Sequence, residues 1–295
     1  MQDNIDSAKS AGADYVIALS HIGYADDETH GDIEDIKDLI RNTDGNRLVR
    51  NTETNLGDLC AEAVRSVMGA DIGYVNGGGI RADIMTGDIT FNELLSVFPF
   101  NNTIVLAEVN GQTIKDMMEM AMMMWPEEDG SFPHLSGITF SVNTDIPSSV
   151  VVNEMEEFVS VDGPYRVYDI KIFNSETGKY EPMELTETYT IASHNYFLLE
   201  QGSGMKMLED AVILQNEGLL DVEALEYYIV ENLGGTVGEQ YRDMVPNITF
   251  TDTEGEQDMS QYTVSALWII GAVVVLLLAL FLTVFLIRKR KCKKK

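Results

Sequence analysis

The sequence predicts an α/β (α+β) domain built on a mixed sheet and followed by one transmembrane helix. Three observations carry this prediction. Apolar runs at helical spacing alternate with short β-branched and aromatic runs along most of the chain. Turn signals at Asn110-Gly111 and at Glu176-Thr177-Gly178-Lys179 read as hairpins, so the sheet is mixed rather than wholly parallel. From Thr263 to Ile287 the chain then runs TVSALWIIGAVVVLLLALFLTVFLI without a charge.

The elements follow in order. A helix is predicted from Ile5 to Ala11, then a buried strand, Tyr15-Val16-Ile17-Ala18-Leu19. Residues 24–46 are acidic and turn-rich, without the spacing of an EF-hand loop, and read as a solvated segment. Leu56, Leu59, Cys60, Ala63, Val64 and Val67 mark the core face of a helix from Asn55 to Met68. A strand from Ile72 to Val75 ends in glycines, and Phe91 to Val97 reads as helical. Thr103 to Val109 alternates as a strand and turns at Asn110-Gly111 into a helix from Thr113 to Met124. The six methionines of that helix, Met117, Met118, Met120, Met122, Met123 and Met124, suit core filling better than soft-metal binding. Further strands are predicted at Ile138 to Val142, Tyr165 to Phe173 and Tyr189 to Ala192. Gly202-Ser203-Gly204 marks a loop, and Asp221 caps a helix through Glu231 that stops at Gly234-Gly235.

Charge is unevenly placed. Seven of the 20 basic residues fall in the last eight positions, leaving 13 basic against 48 acidic groups, or −35, in residues 1–287. So acidic a body excludes a nucleic-acid polymer as partner, because phosphate contacts need a basic surface. It suits a domain kept soluble outside a cell. As a helix, the apolar run of 25 residues would be about 38 Å long, enough to cross a hydrocarbon core of about 30 Å. The basic residues from Arg288 onward place the C-terminus in the cytoplasm, with everything before Tyr262 outside. The expectation is a single-pass cell-membrane protein with the bilayer as one partner. Its two cysteines, Cys60 and Cys292, then lie on opposite sides and form no disulfide, and Cys60 reads as a small core residue. MQDNIDSAKSAGADY has neither the basic nor the apolar region of a signal peptide, so the chain reads as the C-terminal part of a longer product.

The most informative string is Val75-Asn76-Gly77-Gly78-Gly79-Ile80-Arg81, a strand end followed by a turn. Three glycines let backbone come close to a ligand and adopt positive φ, while Asn76 and Arg81 offer an amide and a guanidinium at the same place. Alone, the run favours a structural turn over a ligand site, and its spacing is not that of a dinucleotide fingerprint. It stands in series with Thr52-Glu53-Thr54-Asn55-Leu56-Gly57-Asp58-Leu59 and Arg50, with Gly87-Asp88-Ile89-Thr90 leading into Val97-Phe98-Pro99-Phe100-Asn101-Asn102, and with Asn195-Tyr196-Phe197-Leu198-Leu199 before Gly202-Ser203-Gly204. In order and spacing these four strings resemble the C-terminal domain of the 5′-nucleotidase family, over roughly Asn46 to Phe250.

The resemblance implies a mixed-sheet domain that recognises a nucleotide or nucleoside while a separate N-terminal metallophosphoesterase domain hydrolyses it. It implies that Phe100 and Phe197 sandwich the base, that Asn76 meets the base edge, and that Arg50 and Arg81 hold phosphate or sugar oxygens beside Gly78. Physical chemistry agrees with these residue types. Base–aromatic stacking is worth about 1–3 kcal/mol per base, and arginine offers planar, permanently charged donors to phosphate. As bare residues, both phenylalanines favour core positions, the commoner fate of Phe, and Arg50 and Arg81 favour pairing with neighbours such as Glu53 and Asp83. One departure concerns Ser203, which stands where the family carries an aspartate for the ribose hydroxyls. A hydroxyl lacks the two-oxygen grip of a carboxylate.

The resemblance extends weakly upstream. Ala18-Leu19-Ser20-His21-Ile22-Gly23 looks like one metal-ligand segment of the metallophosphoesterase domain, with His21 as a remnant ligand. The family's other metal motifs have no counterpart here, so no complete catalytic set and no cofactor is expected in this chain, although the full-length family uses two divalent metals. The expected organisation is a remnant of that domain at 1–45, the C-terminal domain at 46–250, an acidic stalk at 251–262, the span at 263–287 and a basic cytoplasmic tail at 288–295. The expected function is substrate recognition within a membrane-anchored 5′-nucleotidase-type phosphomonoesterase of nucleotide catabolism, with this chain alone inactive. The alternative is a non-catalytic surface protein that binds a ligand or acts as a scaffold.

Overall fold

Thr54 begins the first long helix of the folded domain by accepting a hydrogen bond from Gly57 N at 3.1 Å. This satisfies one of the backbone donors left open at a helix start. The helix, α1, spans Asn55–Met68 and ends at Gly69, whose φ of 63° lies in the left-handed region that glycine adopts without strain. Leu59, Cys60, Ala63 and Val64 are buried along one face, as their spacing predicts. A computed structural model describes residues 17–19, 47–85, 87–216, 218–241 and 245–252. They belong to one unit, Met1–Thr253. Of the expected first strand, Ile17–Leu19 is described as β1. The helix Ile5 to Ala11, the acidic segment through residue 46, His21, the stalk from residue 253 on, the span and the tail lie outside the described residues, while Thr251, expected to open the stalk, ends the last strand by pairing with Asn143. Among the described residues no helix is long and apolar enough to cross a membrane.

The strands continue as β2 (Ile72–Asn76), β3 (Gly87–Ile89), β4 (Ile104–Asn110), β5 (Pro133–Ser136), β6 (Ile138–Asn143), β7 (Val150–Val152) and β8 (Phe158–Val161). They end with β9 (Val167–Asn174), β10 (Lys179–Pro182), β11 (Thr188–His194), β12 (Val212–Gln215), β13 (Thr236–Val237) and β14 (Ile248–Thr251). The remaining helices are α2 (Phe91–Val97), α3 (Gly111–Ala121), α4 (Asn195–Leu198) and α5 (Asp221–Tyr227). A five-stranded sheet has the order β12-β4-β11-β2-β5 and a four-stranded sheet the order β10-β9-β6-β14. Both are mixed, as expected. β11 runs parallel to β2, with Ile191 opposite Ile72, and antiparallel to β4, with His194 opposite Ile104. This register brings the carboxyl ends of β2 and β11 to the same sheet edge as the start of β4, which follows Phe100.

Two clusters of apolar side chains fill the interior. One gathers α1, Val75, Leu94, Phe98, Ile104 and the apolar face of α5. The other gathers Ile72, Tyr74, Met117, Met118, Phe132 and Phe197. The methionines divide where α3 stops: Met117, Met118, Met120 and Met122 are buried, and Met124 is 46% exposed.

Two local expectations change. Asn110-Gly111 does not close a hairpin, because the Asn110 side chain accepts from Thr113 N at 2.8 Å and so begins α3 at Gly111. Asp221 is not a cap but the first residue of α5, and the Glu223 carboxylate reaches back to Leu220 N at 2.9 Å. That helix widens into a π-type turn, Tyr228–Asn232, before Gly234 and Gly235 at φ 69° and 80°. The Glu176–Lys179 turn does join two antiparallel strands, β9 and β10, with Gly178 at φ 66°.

Thr54→Ala is expected to destabilise the domain by about 1 kcal/mol, with Thr54→Ser near neutral. Urea unfolding of the two variants checks this.

Candidate functional site

The site is built on the carboxyl end of β2. Asn76 is 6% exposed and donates from Nδ2 to Gly130 O at 2.6 Å. Gly77 N donates to Phe132 O at 2.8 Å, Gly78 N to Gly130 O at 2.9 Å and Gly79 N back to Asn76 O at 2.9 Å. The turn is thereby anchored to the segment that enters β5. None of the three glycines adopts positive φ, so their purpose is space rather than conformation. A Cβ on Gly77 would lie 1.9 Å from Val49 O, and one on Gly78 2.9 Å from Gly130 O. Any side chain there would drive backbone from backbone.

That close approach brings Arg50 to the turn. Arg50 ends a short 3₁₀ turn, Leu48–Arg50, and its carbonyl accepts from Asp129 N at 2.9 Å. Burial, then the charges of Arg47 and Arg81, hold its guanidinium below the ordinary arginine value, with Glu128 and Asp129 acting in the opposite sense. Two guanidinium groups therefore sense each other across the turn. Arg47 is bound to Glu128, at 3.3 Å from Nη2 to Oε1. Arg50 and Arg81 make no ion pair with the described residues. The pairings open to them in the sequence do not form. Glu53 instead accepts from Asn247 N and Ile248 N at 3.1 and 2.8 Å, and burial pushes Asp83 up to about 6.

Arg81 N is held by Val97 O at 3.0 Å. Its guanidinium carbon stands 5.7 Å from the centroid of the Phe100 ring, within the range of a cation–π contact. Phe100 is 56% exposed, whereas Phe98, two residues earlier, is buried. Asn101 follows at φ 54°, a left-handed value that asparagine tolerates better than most residues. The structure thus gathers Arg50, Asn76, Gly78, Arg81 and Phe100 around one turn.

Phe197 departs from the expected arrangement. It is 0% exposed and lies edge-on to Tyr74 and Tyr196, at 5.1 and 5.0 Å between ring centroids. A ring closed in on all sides has no face for a base, so Phe197 is a core residue here. The neighbouring ring, Tyr196, is 38% exposed. Its hydroxyl accepts from Ser203 N at 3.0 Å and lies 3.4 Å from Ser203 Oγ, and its ring covers Gly202 where a Cβ would clash. Ser203 has φ 54°. Tyr196 belongs to the same sheet edge, because Asn195 N donates to Thr103 O at 2.8 Å and Thr103 N to Asn195 Oδ1 at 3.0 Å. The sequence signal for Tyr196 was its place beside Phe197 in α4, a single turn on which adjacent residues point apart.

Among the described residues no group of three or more His, Cys, Asp or Glu side chains could hold a metal ion. His134 is buried, donates from Nε2 to Val49 O at 2.9 Å, and serves packing. What the site offers is two cationic groups, an open aromatic face and a tight turn, an arrangement fit for an anion joined to a flat ring.

A profile of the 5′-nucleotidase, C-terminal domain, matches residues 10–210. The chain belongs to this family. Among curated relatives, the trifunctional nucleotide phosphoesterase protein YfkN of Bacillus subtilis is 31% identical over 234 residues, covering 75% of this chain and 15% of the relative. Protein UshA of Escherichia coli is 31% identical over 202 residues, 68% of this chain and 30% of the relative. The chain therefore spans less than a third of either one. Among solved structures, the 5′-nucleotidase precursor of Thermus thermophilus superposes with a TM-score of 0.58 at 26% identity, over 70% of this chain and 37% of that one. The NAD nucleotidase of Haemophilus influenzae shares the fold, with a TM-score of 0.55 at 20% identity over 85% of this chain and 40% of that one.

Gly77→Ala should cost about 1–3 kcal/mol of stability, because neither backbone carbonyl nor turn can move aside freely. Thermal unfolding beside Gly130→Ala, where a Cβ would meet nothing nearer than 3.8 Å, measures it, and equal losses would show that the Val49 approach does not matter.

Proposed function

We propose that this chain is the nucleotide- or nucleoside-recognition part of a membrane-anchored 5′-nucleotidase-type hydrolase. The observation that carries the reading is the exposed Phe100 ring with the Arg81 guanidinium beside it, next to a turn that holds Arg50 close. In this reading Phe100 supplies one stacking face and Tyr196 the second, in place of Phe197. Arg50 and Arg81 take the phosphate oxygens, and Asn76 keeps the turn in shape beside Gly78. Ser203, already engaged with the Tyr196 hydroxyl, gives ribose one hydroxyl contact at most.

Family membership and the names of its relatives, which act on nucleotides, support the substrate class. The apolar run 263–287 and the basic residues after it support anchoring, with the domain outside the cell. Residues 1–45 are then a remnant of the metallophosphoesterase domain, 46–250 with the last strand residue Thr251 the recognition domain, and the residues from there to 262 a stalk. Hydrolysis needs two ions held by several ligands, and His21 alone does not make such a set. Where the metal-binding part of a longer product is missing, the chain binds and does not cleave.

Phe100→Ala should weaken AMP binding by about 1–3 kcal/mol and Tyr196→Ala by a similar amount. Phe197→Leu should instead lower the melting temperature and leave affinity nearly unchanged. Calorimetry and thermal melts on the same samples separate these outcomes, and a large affinity loss confined to the Phe197 variant would return the stacking role to that ring. Purified chain given Mn²⁺, Co²⁺ or Zn²⁺ should release no phosphate from AMP above background. Metal-dependent release would show a complete catalytic set.

A further inference from the structure

His194 and Asp221 face each other at the same sheet edge, and the binding mode above uses neither. His194 ends β11 and is 1% exposed, and Asp221 begins α5 and is 0% exposed. His194 Nε2 stands 3.8 Å from Asp221 Oδ2, beyond hydrogen-bond range. That nitrogen has no hydrogen-bond partner among the described residues. Buried polar atoms left so are few in native folds and ask for an explanation.

Each member touches part of the site. Asp221 N donates to Asn102 O at 2.9 Å, and Asp221 Oδ2 accepts from Asn102 Nδ2 at 3.3 Å. The carboxylate thereby ties down the segment that carries Phe100. His194 packs edge-on against Phe98, 5.5 Å between centroids, and its Cε1 lies 3.4 Å from where a Cβ on Gly79 would sit. One buried couple thus reaches both the Phe98–Asn102 segment and the glycine turn.

Few ionisable groups surround the couple, and Val222 N donates to Asp221 Oδ1 at 2.8 Å. On α1 the Cys60 thiol feels the charges of Asp221 and Asp58. On α5 itself, Glu223 is engaged with Leu220 N. The segment before β4 presents Asn102, and the turn presents backbone, its Arg81 side chain lying toward Phe100. His194 is the one ionic partner of Asp221 among the described residues. Burial acts on the two in opposite senses, pushing Asp221 up to about 6 and His194 down to about 4. At neutral pH the carboxylate is charged and the imidazole is not. One proton entering from solvent is then held by the facing oxygen and nitrogen together, as an O–H···N or O⁻···H–N⁺ bond.

We propose that His194 and Asp221 are a positioning pair that holds the Phe98–Asn102 segment against the glycine turn, and that a proton shared between them draws the carboxylate away from Asn102 and weakens ligand binding. The ligand half of this rests on the function proposed above, whereas the shared proton does not. In the unfolded chain the proton sits on His194, and in the folded pair below about pH 6 it is shared, so between about pH 4 and about pH 6 the two states hold equal numbers. Single substitutions break that balance. Asp221→Asn leaves a histidine whose folded value lies below its unfolded one, so stability is lost as pH falls from about 6.5 to about 4. His194→Gln leaves a carboxyl whose folded value lies above its unfolded one, so stability rises as pH falls from about 6 to about 4.

The test uses the full chain and adenosine, which has no phosphate to titrate. Its dissociation constant should rise about fivefold between about pH 7.5 and about pH 5.5 in the wild type and stay level in Asp221→Asn. Relative to wild type, the unfolding constants of the two variants should drift in opposite directions across the acid range, by up to about a hundredfold. In the unsubstituted chain the His194 imidazole resonance should move near pH 6, with the proton taken up at Asp221, which needs no variant to fold. A level wild-type profile, a sloping Asp221→Asn profile or drifts of the same sign would overturn the proposal. Absence of adenosine binding at every pH would overturn the ligand reading and the positioning role, while movement of the His194 resonance near pH 6 would still establish the shared proton.

Discussion

The contact between the Gly77 backbone and the Val49 carbonyl is the constraint on which the rest of the site depends. With a hydrogen as its side chain, Gly77 lets two stretches of main chain meet that any other residue would hold apart. The same contact brings Arg50 beside the turn that ends at Arg81, so two like charges come near one another without an ion pair to either among the described residues. Such an arrangement is unfavourable by itself, and the packing of the Leu48–Arg50 turn and of the Asp129–Phe132 segment sustains it. The fold supplies the stability, and among the described residues neither guanidinium is spent in an ion pair.

Sheet register does the remaining positioning. Because β11 runs with β2 and against β4, three chain segments far apart in sequence end at one edge. Asn195 and Thr103 then exchange two hydrogen bonds, tying the end of β11 to the beginning of β4. The aromatic residues of both segments come to this edge without a loop having to carry them, which favours a site formed before any ligand arrives.

Much of this was legible in the sequence, and what was not has physical reasons. The alternating pattern gave α1, β2 and β4 almost to the residue, since their burial is one-sided or complete. The glycine run, Arg50, Arg81 and Phe100 were visible as residue types at one spacing. The reason for the glycines was not, because the need for space at Gly77 comes from Val49, a tertiary neighbour with no local signature. Phe197 and Tyr196 could not be told apart for the same kind of reason. Which of two adjacent rings turns inward is decided by how α4 docks against Tyr74, and the hydroxyl that can reach Ser203 N makes the outward place tolerable for tyrosine. Asn110-Gly111 misled because a side chain that caps a helix resembles, in sequence, one that begins a hairpin.

The cation resting on Phe100 has a consequence for what the site prefers. In the proposed binding mode, a flat heterocycle that stacked on the face beside the guanidinium would displace the arginine and forgo about 0.5–1 kcal/mol of cation–π attraction. A guest that also carried an anion would draw the guanidinium toward itself and free that face in the same motion. The two halves of such a molecule would assist one another, so a preference for the charged, two-part guest would begin with an exchange of partners inside the protein.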